Sequence, residues 1–357
     1  MTEQLDAVEK ASGATFAPFA SRELPARFTD VEREWAAVRQ RCGVLDARFR
    51  GLLRLSGGDR ITFVQGMVSN DVARLREGEG TYAALLTQQG KIVSDLRVFV
   101  LPEELWIDTP AARTATVRES LERYIIADDV EFVTDETWAP LVALEGPQAR
   151  EVLRALTSED VEDAQPFRHR DISFNGGRLR VAAVSHTGER GYLLFGPPGF
   201  GGALWERCRA AGAEPVGMEA LDVLRVEAGI PWYGGDMSEA MLIAEVGLDT
   251  AISYQKGCYL GQEVVERVAA RGQVHRKLVG MLCNGRVVPP ADSKLIHDGA
   301  EVGWITSAVW SPARQSVIAL GYLRREQWTE GSEMEVVLNT GTTAARVVPL
   351  PFYPRRD

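Results

Sequence analysis

The chain has 357 residues, 45% hydrophobic and 25% charged, enough for two or three domains with cores of their own. Its formal net charge of −10 argues against general nucleic-acid binding. No apolar run approaches the ~20 residues that cross a bilayer, and the polar start Met1–Lys10 is not a signal peptide, so no membrane partner is expected.

Residues 1–25 are polar and read as loosely held. Val31 to Arg41 has helical character. Gly51 to Leu55 alternates as a strand, and Asp59 is placed to cap a helix with Ile61, Val64, Met67 and Val68 on one face. Tyr82 to Thr87 and Lys91 to Leu101 read as strands joined at Gln88-Gln89-Gly90, with Leu105 to Asp108 a third. Pro110-Ala111 opens a long helix with Val117, Leu121 and Ile125 inward. A second α+β stretch follows: a strand over Trp138 to Leu144, a helix after Gly146-Pro147, and paired strands Leu179 to Val184 and Gly191 to Phe195. Helices are expected over about 202–211 and 218–228. After Gln273 the texture changes to short strands (Lys277 to Leu282, Val302 to Ser307, Val317 to Tyr322, Met334 to Leu338, Ala344 to Val348), the pattern of a small barrel. The expected division is 1–275, with two interleaved α+β subdomains, and 276–357, the barrel.

Lys256-Gly257-Cys258-Tyr259-Leu260-Gly261-Gln262-Glu263 stands out. It places a thiol just before a helical run, Val264 to Ala270, with Lys256 close by. A helix N-terminus and a neighbouring cation both favour a thiolate. A lone cysteine is more often a small buried hydrophobe. The four cysteines (Cys42, Cys208, Cys258, Cys283) lie far apart without C-x-x-C, and the four His lack ligand spacing, so no metal site is expected and a reducing cytoplasm is. From Val264 to Arg286 five basic residues, among them Arg271, face one acid, Glu266; this is a solvated surface or a patch for an anion.

Several strings, in order, resemble the glycine-cleavage T-protein family of aminomethyltransferases and their folate-binding relatives. They include Leu53-Arg54-Leu55-Ser56-Gly57, Ser69-Asn70-Asp71-Val72, Gly90-Lys91-Ile92-Val93-Ser94-Asp95-Leu96, Leu144-Glu145-Gly146-Pro147-Gln148-Ala149-Arg150, Thr187-Gly188-Glu189-Arg190-Gly191-Tyr192 and Leu224-Arg225-Val226-Glu227-Ala228-Gly229-Ile230-Pro231. The resemblance implies three domains around a central hole for tetrahydrofolate or a derivative, a C-terminal β-barrel and a monomer. It implies that Asp95 faces the folate nitrogens and that Tyr82 lines the site. Arg225, Lys256, Gln262, Glu263 and Arg271 are further candidates for folate, and Cys258 and Asp95 for chemistry. The T-protein acid that holds the pterin ring falls at Leu193, which supplies no acceptor. The T-protein loop K-G-D-F-x-G reads K-G-C-Y-x-G-Q-E here, which resembles the YgfZ-like branch. That branch implies a folate-binding factor for assembly or repair of iron–sulfur clusters and cluster-dependent tRNA modification, with iron–sulfur proteins as clients. The alternative is a tetrahydrofolate-dependent aminomethyltransferase.

Overall fold

A computed structural model describes residues 3–20, 22–135, 137–157, 159, 165–272 and 274–355. Where the sequence suggested a loosely held start, it shows helix α1 (Glu3–Ala11) and a hairpin of β1 (Thr15–Phe19) and β2 (Arg22–Arg27). Leu5 is buried in a core that includes Leu204 and Trp205. Arg48 holds Asp6 at 2.6 Å and Glu9 at 3.2 Å. Val8, at i+3 from Leu5, packs on the same core, so the helix has a short apolar face beside its ion pairs.

Helix α2 (Val31–Gln40) starts at Asp30, whose carboxylate accepts from the Arg33 amide at 2.9 Å. Then come β3 (Gly43–Asp46), β4 (Arg50–Ser56) and α3 (Arg60–Met67). Asp59 does not cap α3 as expected; its carboxylate accepts from the Asp129 amide at 2.9 Å instead. Strands β5 (Gly80–Leu86), β6 (Ile92–Val100) and β7 (Leu105–Pro110) lie where the alternation placed them. The helix expected from Pro110 begins as a 3-10 turn and is shorter than foreseen, α4 (Thr114–Glu122). With β8 (Glu131–Phe132) these strands form a five-stranded sheet of order β5-β6-β7-β4-β8.

The next stretch supplies β9 (Ala139–Glu145), α5 (Ala149–Leu156), β10 (His169–Phe174), β11 (Gly177–Ala182), β12 (Gly191–Gly196), α6 (Gly201–Ala210) and β13 (Glu214–Val216). Its sheet runs β10-β11-β12-β9-β3-β13, so β3 is recruited from far upstream. On α5, Ala149, Val152, Leu153 and Leu156 are buried, the spacing of one helix face.

Helices α7 (Met218–Glu227), α8 (Ile243–Val246) and α9 (Gln262–Arg271) precede β14 (Arg276–Cys283), β15 (Lys294–His297), β16 (Ala300–Ser311), β17 (Ser316–Arg324), β18 (Glu333–Leu338) and β19 (Gly341–Val348). The last six strands close into a barrel of order β14-β17-β16-β15-β18-β19 around Met281, Leu295, Ile305, Val317 and Val336. The α+β class and the C-terminal barrel are as expected. By contact the chain forms two compact units, Met1–Leu86 with Val93–Leu221 and Thr250–Leu260, and Thr87–Ile92 with Asp222–Asp249 and Gly261–Asp357.

Within the first unit the two sheets face each other. Phe195 of β12 meets Phe99 of β6 at 6.0 Å and Trp106 of β7 at 5.5 Å between ring centroids. Side chains alternate along a strand. One face of β6, β7 and β4 carries Leu96, Val98, Ile107, Leu53 and Leu55 into a core with Phe63 and Val64 of α3 and Leu121 of α4. The other face carries Asp95, Arg97, Phe99, Trp106, Asp108 and Arg50 toward the second sheet. Every residue of β6 is buried, charged ones included.

Candidate functional site

The charges on that inner face form one connected system. Asp108 accepts from Arg50 Nε at 3.0 Å and from Arg97 Nη1 at 2.9 Å. Arg50 Nη1 reaches Asp95 Oδ2 at 3.4 Å. Two guanidinium groups thus balance two carboxylates away from water, which is what buried charge requires. Strand pairing sets the geometry, because Arg97 lies opposite Asp108 in the β6–β7 register. Asp95 Oδ1 is different: it is buried with no hydrogen-bond partner among the described residues. Tyr82, half-buried on β5, has its phenol pushed up by burial and then by the Asp95 carboxylate. It therefore stays a hydroxyl at neutral pH.

The second sheet adds a neutral arm. His186 Nε2 lies 2.9 Å from Arg97 Nη1, and Nδ1 lies 2.9 Å from Glu145 Oε1. A guanidinium only donates, so Nε2 must accept and Nδ1 must carry the proton. Burial holds the His186 ring well below the usual imidazole range, and Arg97 adds to this. Glu145 also accepts from the His186 amide at 2.9 Å and from Thr187 Oγ1 at 2.9 Å, while burial pushes it up to about 8. Gly191 is needed here: a Cβ would sit 2.4 Å from the Val184 carbonyl and 2.7 Å from Glu145 Oε2.

Of the predicted site residues in the first unit, Tyr82 and Asp95 come together at this place. The Lys256 ammonium is committed elsewhere than to the thiol. Its Nζ donates to the carbonyls of Gln65, Val68 and Asn70 at 2.5, 2.6 and 2.9 Å. Those acceptors take all three of its N–H groups, and they include the exposed end of α3, so Lys256 caps that helix from almost 190 residues away. The same segment is fixed by the Leu260 amide on the Gly66 carbonyl at 3.0 Å and by Ser69 Oγ on the Ala251 carbonyl at 2.6 Å.

Arg225 is buried and likewise committed. It pairs with Asp236, donates to Asp222 at 2.7 Å and to Ser307 Oγ at 2.6 Å, and lies over Trp232. Asp236 also accepts from Thr306 Oγ1 and Ser307 Oγ, and Tyr322 donates to its carbonyl. These contacts bind Arg225 into the scaffold that joins its helix to the barrel strand β16. Gln262 donates to Glu266 at 2.6 Å and Glu263 pairs with Arg267 at 2.5 Å, both i,i+4 along α9. The Arg271 side chain lies outside the described residues. Cys258 is exposed, whereas Cys42, Cys208 and Cys283 are buried. Leu193 is fully buried on β12.

Arg50, Arg97, Asp108, Glu145 and His186 were not singled out from the sequence. The available signal was Asp95-Leu96-Arg97-Val98-Phe99, in which an aromatic shares the charged face. Among the described residues no helix is long and apolar enough to cross a membrane.

Comparison with known proteins agrees with this architecture. The GCVT N-terminal domain matches residues 5–256, and the glycine cleavage T-protein C-terminal barrel domain matches residues 276–354. An aminomethyltransferase of Prochlorococcus marinus (strain MIT 9313) is 33% identical over 96% of this chain and 95% of its own. One of Rubrobacter xylanophilus is 34% identical over 97% of this chain and 92% of its own. The crystal structure of glycine cleavage system aminomethyltransferase T from Bartonella henselae shares the fold, with a TM-score of 0.91 at 24% identity over 99% of this chain and 98% of that one. The chain belongs to the glycine cleavage T-protein family.

Proposed function

We propose that this chain is a tetrahydrofolate-dependent aminomethyltransferase in which Asp95 is the catalytic carboxylate. The T-protein family uses tetrahydrofolate, and the curated relatives above carry the aminomethyltransferase name. The observation that carries the reading is the unpartnered Oδ1 of buried Asp95. A buried acceptor without a partner costs about 1–3 kcal/mol, which a ligand N–H would recover. Tetrahydrofolate supplies an amine nitrogen that takes up the one-carbon unit.

Around that nitrogen the chain has three tasks. Asp95 Oδ1 accepts the amine N–H and can hold the proton that leaves it. Arg50 keeps Oδ2 occupied, so the carboxylate presents one oxygen in a fixed direction. Tyr82 offers a hydroxyl that stays protonated and a ring stacked on Phe167 at 6.4 Å. Leu193 gives the pterin no acceptor, so the ring is held by other groups than the acid T-proteins use.

The test is ammonia release from a lipoyl-bound aminomethyl donor in the presence of tetrahydrofolate. Asp95→Asn is expected to slow release about 100-fold or more, the range of positioned acid–base groups, and to weaken tetrahydrofolate binding as well, because the amine loses its anionic acceptor. No release by the unaltered protein would refute the proposal.

A second reading, the YgfZ-like factor for iron–sulfur enzymes, is favoured by the exposed Cys258 set against three buried cysteines. It requires that a strain lacking the gene lose activity of cluster-containing enzymes and that Cys258→Ser fail to restore it. Full restoration by Cys258→Ser removes this reading and leaves the first untouched.

A further inference from the structure

Arg97 has no part in the chemistry just described, yet it ties the two sheets together at the site. It bonds to Asp108 at 2.9 Å on its own sheet and to His186 at 2.9 Å on the other. We propose that Arg97, aimed by His186 and through it by Glu145, is a positioning residue that shares Asp108 with Arg50 and thereby leaves Arg50 to hold one oxygen of Asp95 while the other stays open to the folate amine. This role rests on the folate reading above.

The argument is one of charge and donors. The groups facing Asp95 are Arg50 of β4, Tyr82 of β5, Arg97 of β6 and Asp108 of β7, with Glu145 and His186 behind Arg97. With Arg97 present, two cations meet two carboxylates. Without it, Arg50 alone faces both. Asp108 holds Arg50 through Nε at 3.0 Å and through its own carbonyl at 3.4 Å, whereas Arg50 meets Asp95 once, at 3.4 Å. Asp108 therefore keeps the cation, and a proton competes for Asp95 in its place. A protonated Asp95 no longer accepts from the amine as an anion. His186 matters because its Nε2 must accept; a protonated ring would turn an N–H toward the guanidinium. Gln at position 186 can accept from Arg97 through its oxygen and donate to Glu145 through its nitrogen, whereas Leu can do neither.

The experiment is calorimetric titration of tetrahydrofolate into the full chain between pH 4 and 8, with urea unfolding at each pH. Arg97→Met and His186→Leu are expected to move the acid limb of binding up by about one pH unit, the low end of what a neighbouring cation does to a carboxylate. Arg97→Lys and His186→Gln should return the limb most of the way. A merely structural role would lower stability and leave the limb in place. If Arg97→Met does not fold, Arg97→Lys against His186→Leu makes the same comparison. Binding with an unmoved limb overturns the role of Arg97 alone. Absence of binding by the unaltered protein overturns the folate reading and this role with it.

Discussion

Replacing Lys256 with methionine tests whether this residue is a helix cap or a helper of Cys258. Lys256 is 8% exposed, and its ammonium donates to three backbone carbonyls at 2.5 to 2.9 Å. Each carbonyl left dry and unpaired costs about 2 kcal/mol, so the three lose about 6 kcal/mol. Burying the ammonium has its own cost: burial pushes Lys256 down to about 8 from 10.5, equivalent to about 3 kcal/mol. Methionine keeps the stem and removes that cost. The net expectation is a loss of about 3 kcal/mol, or a fall in Tm of roughly 6–12 °C for a domain of this size. Differential scanning calorimetry and urea unfolding read it directly. The rate at which an exposed-thiol reagent labels Cys258 in the folded protein should change less than about threefold, because no Lys256 donor remains for the thiol. Unchanged stability with a large fall in labelling rate would refute the reasoning, since it would place the ammonium beside the sulfur.

Two further outcomes follow from buried charge. Arg225→Met leaves the Asp236 carboxylate facing Ser307, Thr306 and the Trp232 amide without a cation, and should cost about 3–5 kcal/mol. Adding Asp236→Asn should recover part of that loss, and strictly additive losses in urea would argue against a coupled pair. His169 is buried and pushed down to about 4, chiefly by burial and then by Arg180. Its folded value lies below the unfolded 6.5, so its contribution is complete above pH 6.5 and is lost as pH falls toward 4, by about 3 kcal/mol in all. Urea unfolding at pH 7 and pH 4.5 should therefore show a shallower pH dependence for His169→Leu than for the unaltered chain; equal slopes would count against it.

How much of this was legible from residues depends on what each pattern encodes. Alternation placed β5, β6 and β7, and the change to short strands after Gln273 announced the barrel. These signals are local, and the chain obeys them. The N-terminal helix was missed because its apolar face is only Leu5 with partly buried Val8, and much of its hold is Asp6 and Glu9 on Arg48. The direction of Lys256 was not legible because two residues of separation from Cys258 do not set it, and three carbonyls near the end of α3 draw the ammonium. The main partner of Arg225 was not legible for a similar reason, since Asp236 lies beyond the end of the Arg225 helix.

The site itself shows where alternation is ambiguous. A strand with polar residues at every second position normally presents them to water. Asp95, Arg97 and Asp108 break that expectation, for their face is covered by a second sheet. The sequence did hold a discriminating sign. Phe99 and Trp106 share the charged face, and large rings beside charges on one strand face are costly to leave in water. A polar stripe that ends in an aromatic is better read as a buried interface that must balance its own charges. Once it is read so, Arg54 is taken up by Glu104, Arg50 and Arg97 are left to balance Asp95 and Asp108, and the acid with an oxygen that no donor reaches becomes the place to look for a ligand.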